Sequence, residues 1–309
     1  MNISAVIINY NSEKFIKDNL ISLQKQTHKF KQIIVIDNNS YDSSLKIINK
    51  FDNIEKVLLK HNAGYAKAAN IGIKKSNSDL ILIANSDIIL DSNFNYFVIN
   101  KFEENKEISL LSPLILRFDK TTIDSAGQTY SKSLYPIEIG YNKNINKVDI
   151  KEKKVFSVCG AATVFSKESL EKLKVFNEYY DEDFFIFWED FDIGWRANIY
   201  NLNSILFPKA IVYHYRGGTL KKNILSRFSL SIGRSSEIKL HIIKNRYLTL
   251  IKNFRFKKFW WSIPFIFFKD ILWLSILTLS SPKIIIKLIM SGKYLKNAIK
   301  KRKKIKEHE

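Results

Sequence analysis

Short unbroken apolar runs at residues 5–8, 33–36, 57–59 and 80–84 are separated by segments 12–26, 43–51 and 65–75, where apolar residues recur with helical period. Such alternation predicts parallel strands joined by crossover helices. The runs do not alternate with polar residues, so both faces of the sheet are expected to be covered, giving a layered α/β/α unit. Phe15, Ile16, Leu20 and Leu23 share one broad helical face behind a Ser12 cap, and Leu45, Ile48 and Phe51 recur every third position. Residues 100–154 are mixed, with turns read at 125–127 and 142–146. A β-rich stretch at 155–165 then leads to a helix near 167–173, an acidic and aromatic segment at 179–192, and a strand pair at 205–214. No internal repeat is visible.

Each of the first strands is followed by polar residues: Asn9-Tyr10-Asn11, Asp37-Asn38-Asn39-Ser40, His61-Asn62-Ala63-Gly64 and Asn85-Ser86-Asp87. In an open parallel sheet, ligands bind in the crevice beyond the carboxyl ends of the strands. The same residues are ordinary turn formers, which explains any one loop more easily than four on one edge. There is no Gly-x-Gly-x-x-Gly after the first strand and no Gly-x-x-x-x-Gly-Lys-Ser/Thr, which argues against a dinucleotide fingerprint or a P-loop.

A chain of 309 residues with 46% hydrophobic content can bury a sizeable core, which excludes disorder throughout. Its one cysteine, Cys159, rules out an internal disulfide or a cysteine metal cage and points to a reducing compartment. The N-terminus runs directly into the first strand with no basic leader, cleavage site or acylation pattern, so no targeting peptide is expected. Net charge is +20, and its location matters: residues 216–309 hold 23 basic and 4 acidic side chains, against 27 and 26 in residues 1–215. A charge-balanced body carries a strongly basic end.

Residues 181–192 place six carboxylates among five aromatic residues ahead of a helix-like run. A pocket that stacks a sugar ring on aromatic faces and removes a hydroxyl proton has this composition. The competing reading is that the aromatics fill core while Asp190 or Asp192 favours the positive end of the next helix. That dipole lowers a carboxylate's pKa, so a base there needs a partly desolvated site. Asn85-Ser86-Asp87 offers oxygen ligands to Mg²⁺ or Mn²⁺, and His214 stands at a strand end before the glycine loop Gly217-Gly218-Thr219. A lone histidine is more often structural, and company near Asp87 would reverse that.

These residues resemble the inverting glycosyltransferases of family 2, especially the rhamnosyltransferase-like branch. The matching stretches are residues 6–11 (VIINYN), 35–40 (VIDNNS), 62–72 (NAGYAKAANIG), 85–87, 160–166 followed by Phe176-Asn177-Glu178, 187–196 and 214–219, in family order. The resemblance implies a GT-A type (Rossmann-like) α/β/α domain in which Tyr10, Asp37 and Asn38 hold the nucleotide. It further implies that Asn62, Gly64, Asn70 and Asn85 lie along the donor, and that Asp87 and His214 bind Mg²⁺ or Mn²⁺. Asp190 would be the base, paired with Glu189, with Trp188 and Gly160 on the acceptor side. The pattern is departed from at Asn85, where many relatives have Asp, at Lys67, where a small residue is usual, and at Val175 and Asn177, which replace Gly and Asp.

Beyond Arg216 the chain turns cationic and apolar, with blocks at 259–268, 271–279 and 284–290 and a polybasic run at 300–304. Apolar runs of about ten residues fall short of the roughly twenty that span a bilayer. Charges at Lys269 and Asp270 would each add about 2.5–3.5 kcal/mol to insertion. Helices lying in the membrane interface, anchored by Trp260, Trp261 and Trp273, are expected, drawn to anionic lipid at about 1 kcal/mol per nearby Lys or Arg. A buried helix pair and a solvated tail are the plainer alternatives. No nucleic-acid module is visible, and the aromatics do not interleave with Arg. Lys244-Asn245-Arg246-Tyr247 and Lys252-Asn253 also resemble a stretch of related transferases, where Arg246 would reach the diphosphate or simply line a surface helix.

The expected organisation is a catalytic domain at 1–220, with a nucleotide-binding half at 1–100 and an acceptor half at 101–220, and a membrane-associating extension at 221–309. The expected function is transfer of a sugar from a nucleotide donor, dTDP-rhamnose by resemblance, to a lipid-linked or polysaccharide acceptor at the inner face of the cytoplasmic membrane. A nucleotidyltransferase, or a non-enzymatic protein that binds membrane or nucleic acid through its basic end, are the alternatives.

Overall fold

A computed structural model describes residues 1–216, 235–280 and 282–307 of the chain. The first ninety residues form β1 (Ile3–Asn9), α1 (Ile16–Gln24), β2 (Gln32–Asp37), α2 (Ser44–Ile48), β3 (Glu55–Leu58), α3 (Tyr65–Lys75) and β4 (Leu80–Asn85), followed by β5 (Ile88–Leu90). β1 pairs in parallel with β2 and β4, and β2 with β3, so the polar strand ends converge on one edge. α1 starts later than expected. The Ser12 carbonyl accepts the amides of Phe15 and Ile16 at 2.9 and 3.0 Å, but its hydroxyl turns away to Asn9 and does not cap the helix.

The second half supplies α4 (Phe94–Glu104), β6 (Ile108–Arg117), β7 (Ile123–Ser125), β8 (Gln128–Tyr130), β9 (Pro136–Glu138), β10 (Lys153–Lys154), β11 (Ala162–Ser166), α5 (Lys167–Leu173), α6 (Glu189–Ile199) and β12 (Asn203–His214). Strand order is β3-β2-β1-β4-β11-β6-β12-β10, with β5 on β12 and β7 on β6. β11 runs antiparallel to both β4 and β6 and joins the two halves of the sheet.

Three local expectations change. Only Ala162–Ser166 of the β-rich stretch is a strand, and Ser125 ends β7, leaving the turn to Gly127 at φ +82°. Residues 205–214 are one strand whose register shifts between Phe207 and Ile211, beside Pro208, which has no N–H to give the ladder.

Both faces of the sheet are covered. Ile3, Ala5 and Ile7 pack with Leu20, Leu23, Phe94 and Phe102, while Val6 and Ile8 pack with Ala66, Ala69, Ile73 and Ile193. A Cβ at Gly72 would lie 2.2 Å from Val6 Cγ1, so only glycine lets α3 sit this close to β1.

The C-terminal helices are α7 (Ser236–Asn253), α8 (Phe256–Phe259), α9 (Ile263–Ser280), α10 (Pro282–Ile289) and α11 (Gly292–Glu307). α7 packs on α6 and α11 and is largely buried; Leu277 of α9 and Ile284 of α10 fold back onto Ile243. From Phe256 to Leu279 the chain is helical over 24 residues at mean hydropathy 1.6, long and apolar enough to cross a membrane. Lys269 and Asp270 lie within that stretch and are half-buried against the body. Lys269 Nζ lies 4.0 Å from the centre of the Tyr135 ring, and Asp270 pairs with Arg246 at 3.1 Å. Within the basic run, Lys301 is buried and pairs with Glu178, Asp181 and Asp183, so that part of the run is not a solvated tail.

Candidate active site

The first two strand ends build a loop wall. Asn9 Nδ2 and Ser40 Oγ both donate to Asp37 Oδ1 at 2.6 Å, and the Ser40 amide donates to Asp37 Oδ2 at 3.0 Å. Asp37 is buried and its carboxylate shapes its own loop. Asn38 Oδ1 accepts the Ala63 amide at 2.8 Å, and Asn62 Oδ1 accepts that of Gly64 at 3.0 Å, which ties the second and third loops together. Tyr10 is half-exposed against the edge of Tyr41.

Gly64 and Asn70 both pack against the acidic segment. Gly64 has φ +85°, and a Cβ there would meet the Phe185 carbonyl oxygen at 2.6 Å. Asn70 is buried, donates to the Tyr180 carbonyl at 2.8 Å and Glu182 Oε1 at 3.1 Å, and accepts the amides of Tyr179 and Tyr180 at 3.2 and 2.9 Å. Both ends of its amide fasten the acidic segment to α3. Lys67, the departure from the family pattern, pairs with Glu182 at 3.7 Å.

The structure brings Asp87 and His214 together. β5 pairs with β12 so that His214 stands opposite Ile88, and His214 Nε2 lies 3.2 Å from Asp87 Oδ1. His214 Nδ1 is 2.8 Å from Asp124 Oδ2, and Arg216 Nε is 2.6 Å from the other oxygen of Asp124. Burial disfavours the imidazolium, but the hydrogen bonds and charges of Asp124 and Asp87 outweigh it and carry the His214 pKa up to about 9. Gly217, Gly218 and Thr219 lie outside the described residues.

The acidic segment separates into two populations. Asp181 bonds to Lys252 and Lys301, Asp192 to Arg196, Lys252 and Asn253, Glu182 to Lys67, and Asp183 to Lys301. Glu189 and Asp190 have no cation within salt-bridge distance among the described residues. Asp190 Oδ2 accepts the Gly160 amide at 2.8 Å and Gln128 Nε2 at 2.9 Å, while Oδ1 accepts the Phe191 amide at 2.8 Å. Burial raises the Asp190 pKa and these donors restrain the rise. Glu189 is pushed up further, by burial and then by the charge of Asp190. The aromatics are mostly core: Phe184, Phe191 and Trp195 are fully buried, and Trp188 is only 5% exposed, edge-on to Tyr135 and Phe191. Trp188 is therefore a wall residue and not an open acceptor platform.

Gly160 connects the two acidic centres. Its amide holds Asp190, its carbonyl accepts the Tyr65 hydroxyl at 2.9 Å, and the next carbonyl, of Ala161, accepts the Asn85 amide at 3.0 Å, two residues before Asp87. A second route runs through residues that sequence reasoning missed: Asp124 in β7, Ser125 donating to Glu138, and Gln128 bridging Glu138 and Asp190. No element had been assigned there, and the available signal was single acidic and amide residues on very short strands. Glu138, Cys159 and Asp190 each offer an atom within 4.8 Å of the others. Burial raises the Cys159 thiol well above its ordinary pKa, which disfavours the thiolate form. Arg246 does not face this cleft: its guanidinium is buried against Asp270 and the Ser133 carbonyl.

The family model described as glycosyl transferase family 2 matches residues 4–174. The poly-beta-1,6-N-acetyl-D-glucosamine synthase of Staphylococcus epidermidis is 24% identical over 214 residues, which are 68% of this chain and 49% of that protein. The chain thus spans about half the length of that relative. The structure of S. aureus TarS 1-349 in complex with UDP-GlcNAc aligns with a TM-score of 0.56 at 18% identity, covering 82% of this chain and 67% of that 1-349 chain. GalNAc-T7 with UDP, GalNAc and Mn²⁺ aligns with a TM-score of 0.60 at 15% identity, covering 81% and 48%. None of these three is a rhamnosyltransferase by name. The fold is GT-A, here with a C-terminal helical extension, and a model match over more than half of its length makes the chain a member of glycosyl transferase family 2.

Proposed function

We propose that this chain transfers a sugar from a nucleoside diphosphate to a lipid-linked or glycan acceptor, with inversion, in the synthesis of a bacterial surface polysaccharide. One observation carries the reading: Asp190 is partly buried with no cation within salt-bridge distance among the described residues, aimed by three donors, and linked through Gly160 and Ala161 to Asn85 at the end of β4, two residues before Asp87. An acceptor hydroxyl attacking the anomeric carbon opposite the leaving diphosphate needs a base on one side and charge neutralisation on the other. Asp190 takes the hydroxyl proton, and its desolvated site keeps it basic enough to do so. Inversion follows because no covalent sugar intermediate is required.

Asp87 and His214 would hold Mg²⁺ or Mn²⁺. The donor set fits, since a carboxylate oxygen and an imidazole nitrogen face each other while Asp124 orients the far ring nitrogen, as outer carboxylates do for metal-binding histidines. A bound divalent ion would supply charge neutralisation for the departing diphosphate. Tyr10, Asn38, Asn62 and Asn85, on loops shaped by Asp37 and Gly64, would contact the nucleotide. A UDP-N-acetylhexosamine is favoured as donor by what the similar proteins are named for and bind; dTDP-rhamnose is favoured by the sequence motifs.

We place the chain on the inner face of the cytoplasmic membrane. Trp260, Phe267, Phe268 and Leu279 are 60%, 60%, 69% and 87% exposed, beside Lys257, Lys258, Lys283 and Lys287. An apolar face flanked by lysines suits the interface of anionic lipid.

The test is nucleoside diphosphate release from UDP-GlcNAc, UDP-galactose, UDP-glucose and dTDP-rhamnose by the purified chain with Mn²⁺. Release or donor-dependent thermal protection with one sugar nucleotide supports the proposal. Indifference to all four, with tight RNA binding, overturns it.

A further inference from the structure

The chain between the acidic turn and α6 holds an uncommon backbone. Phe185, Phe187 and Trp188 have φ of 64°, 68° and 74°, a left-handed conformation that bulky side chains rarely adopt. Such a conformation persists only when its surroundings over-determine it. Here the constraint comes from α7. Asn245 is fully buried, and its Nδ2 lies 2.8 Å from each of three carbonyl oxygens, those of Phe184, Ile186 and Phe187. The remaining carbonyl, of Phe185, accepts the Tyr65 amide at 2.6 Å. Each of the four carbonyls of residues 184–187 thus meets a donor from outside the loop, and that of Phe184 also accepts the Ile186 amide at 2.7 Å.

The same helix grips both flanks. Lys244 Nζ donates to the Asp183 carbonyl at 2.5 Å before the loop, and Asn253 Nδ2 donates to Asp192 Oδ1 at 2.7 Å after it. Glu189 and Asp190 lie between these two holds, in the first turn of α6. We infer that Asn245 is a positioning residue: by gathering the carbonyls of residues 184, 186 and 187, it fixes the left-handed loop that sets where Asp190 sits against Gly160 and Gln128. The inference rests on the proposed role of Asp190 as base. It assigns α7 to the catalytic body, where sequence reasoning had placed it in a membrane extension.

Asn245→Ala removes all three donor contacts. With UDP-GlcNAc and dTDP-rhamnose as donors and Mn²⁺ present, kcat should fall 30- to 300-fold while donor KM stays within threefold. Amide exchange of residues 183–192 should accelerate at least tenfold, with residues 3–9 unchanged. Asn245→Ser keeps one donor and should lose about tenfold in kcat, and it decides the matter on the same readouts if the alanine variant does not melt cooperatively. Wild-type exchange rates in 183–192, or kcat within threefold of wild type, overturn the inference. If the wild-type chain consumes neither, UDP-galactose or UDP-glucose takes their place; if it consumes none of the four, the functional proposal fails and the exchange measurement alone judges the clamp.

Discussion

The Gln128 side-chain amide stands 2.9 Å from Asp190 Oδ2 and, through the same nitrogen, 2.8 Å from Glu138 Oε1. One donor serves two carboxyl groups, and the second of them is desolvated next to the charge of the first. Glu138 is consequently raised to about 7, by burial and then by Asp190. Its free carboxyl titrates near 4.3. Between those values the folded chain holds a proton that the unfolded chain has lost, so stability falls as pH rises through this window. Glu138→Gln should flatten the decline in urea midpoint between pH 5 and pH 7.5. An unchanged slope would remove Glu138 from this role.

Asp190→Asn keeps the shape of the side chain and its contact with Gly160 but cannot take a proton. Transfer should drop at least a thousandfold, with donor affinity by calorimetry within a few-fold of wild type. Retained turnover would show that another group is the base.

Asp124 touches no expected ligand directly, yet it holds His214 Nδ1 at 2.8 Å. Outer carboxylates of this kind typically account for about 10- to 100-fold in metal affinity. Asp124→Asn should weaken Mn²⁺ binding by about that factor when followed by electron paramagnetic resonance, while His214→Ala should weaken it more. Equal affinity in wild type and Asp124→Asn would separate Asp124 from the metal site.

The buried Lys252 bonds Asp181 and Asp192 together, the latter at 2.9 Å. Removing the cation leaves two buried carboxylates short of a partner, a loss of about 3–5 kcal/mol. Lys252→Met should show this in urea unfolding at pH 7. Burial alone would raise the Asp181 carboxyl, but Lys252 and Lys301 outweigh it and hold it well below the usual carboxylate range. The stabilisation is present above a free carboxylate's pKa of about 3.9 and is lost as pH falls through the native value. The gap between variant and wild type should therefore narrow from pH 7 toward pH 2.

Membrane seating is tested with vesicles. Sedimentation with 30% anionic lipid should retain the wild-type chain at low salt, and Trp260→Ser with Trp261→Ser should weaken retention about tenfold. Equal retention on neutral vesicles would count against the basic interface.

The parallel half of the sheet was legible because its apolar runs are long relative to its turns and its helices carry one clear face. Asp87, His214 and Asp190 could be nominated from their local motifs. What hid the rest is that it is made by packing at long range. Asn70 reads only as a polar residue in a helical segment until Tyr179 and Tyr180 arrive 109 and 110 residues later to use its side chain. Trp188 looks like a sugar platform until Tyr135 and Phe191 cover it. Gln128 and Glu138 sit on three-residue strands, too short for any periodicity to register. The charge excess of the C-terminal end concealed that Lys252 and Lys301 neutralise buried acids of the catalytic body.

Strand β11 arrives almost eighty residues after β4, yet it lies directly against that strand and separates it from β6. During synthesis, the nascent chain must therefore present the bare edge of β4 until residue 166 has left the ribosome. Premature termination before Ala162 would leave an apolar, hydrogen-bond-hungry border, and such fragments should be insoluble or chaperone-bound instead of behaving as a small independent nucleotide-binding module.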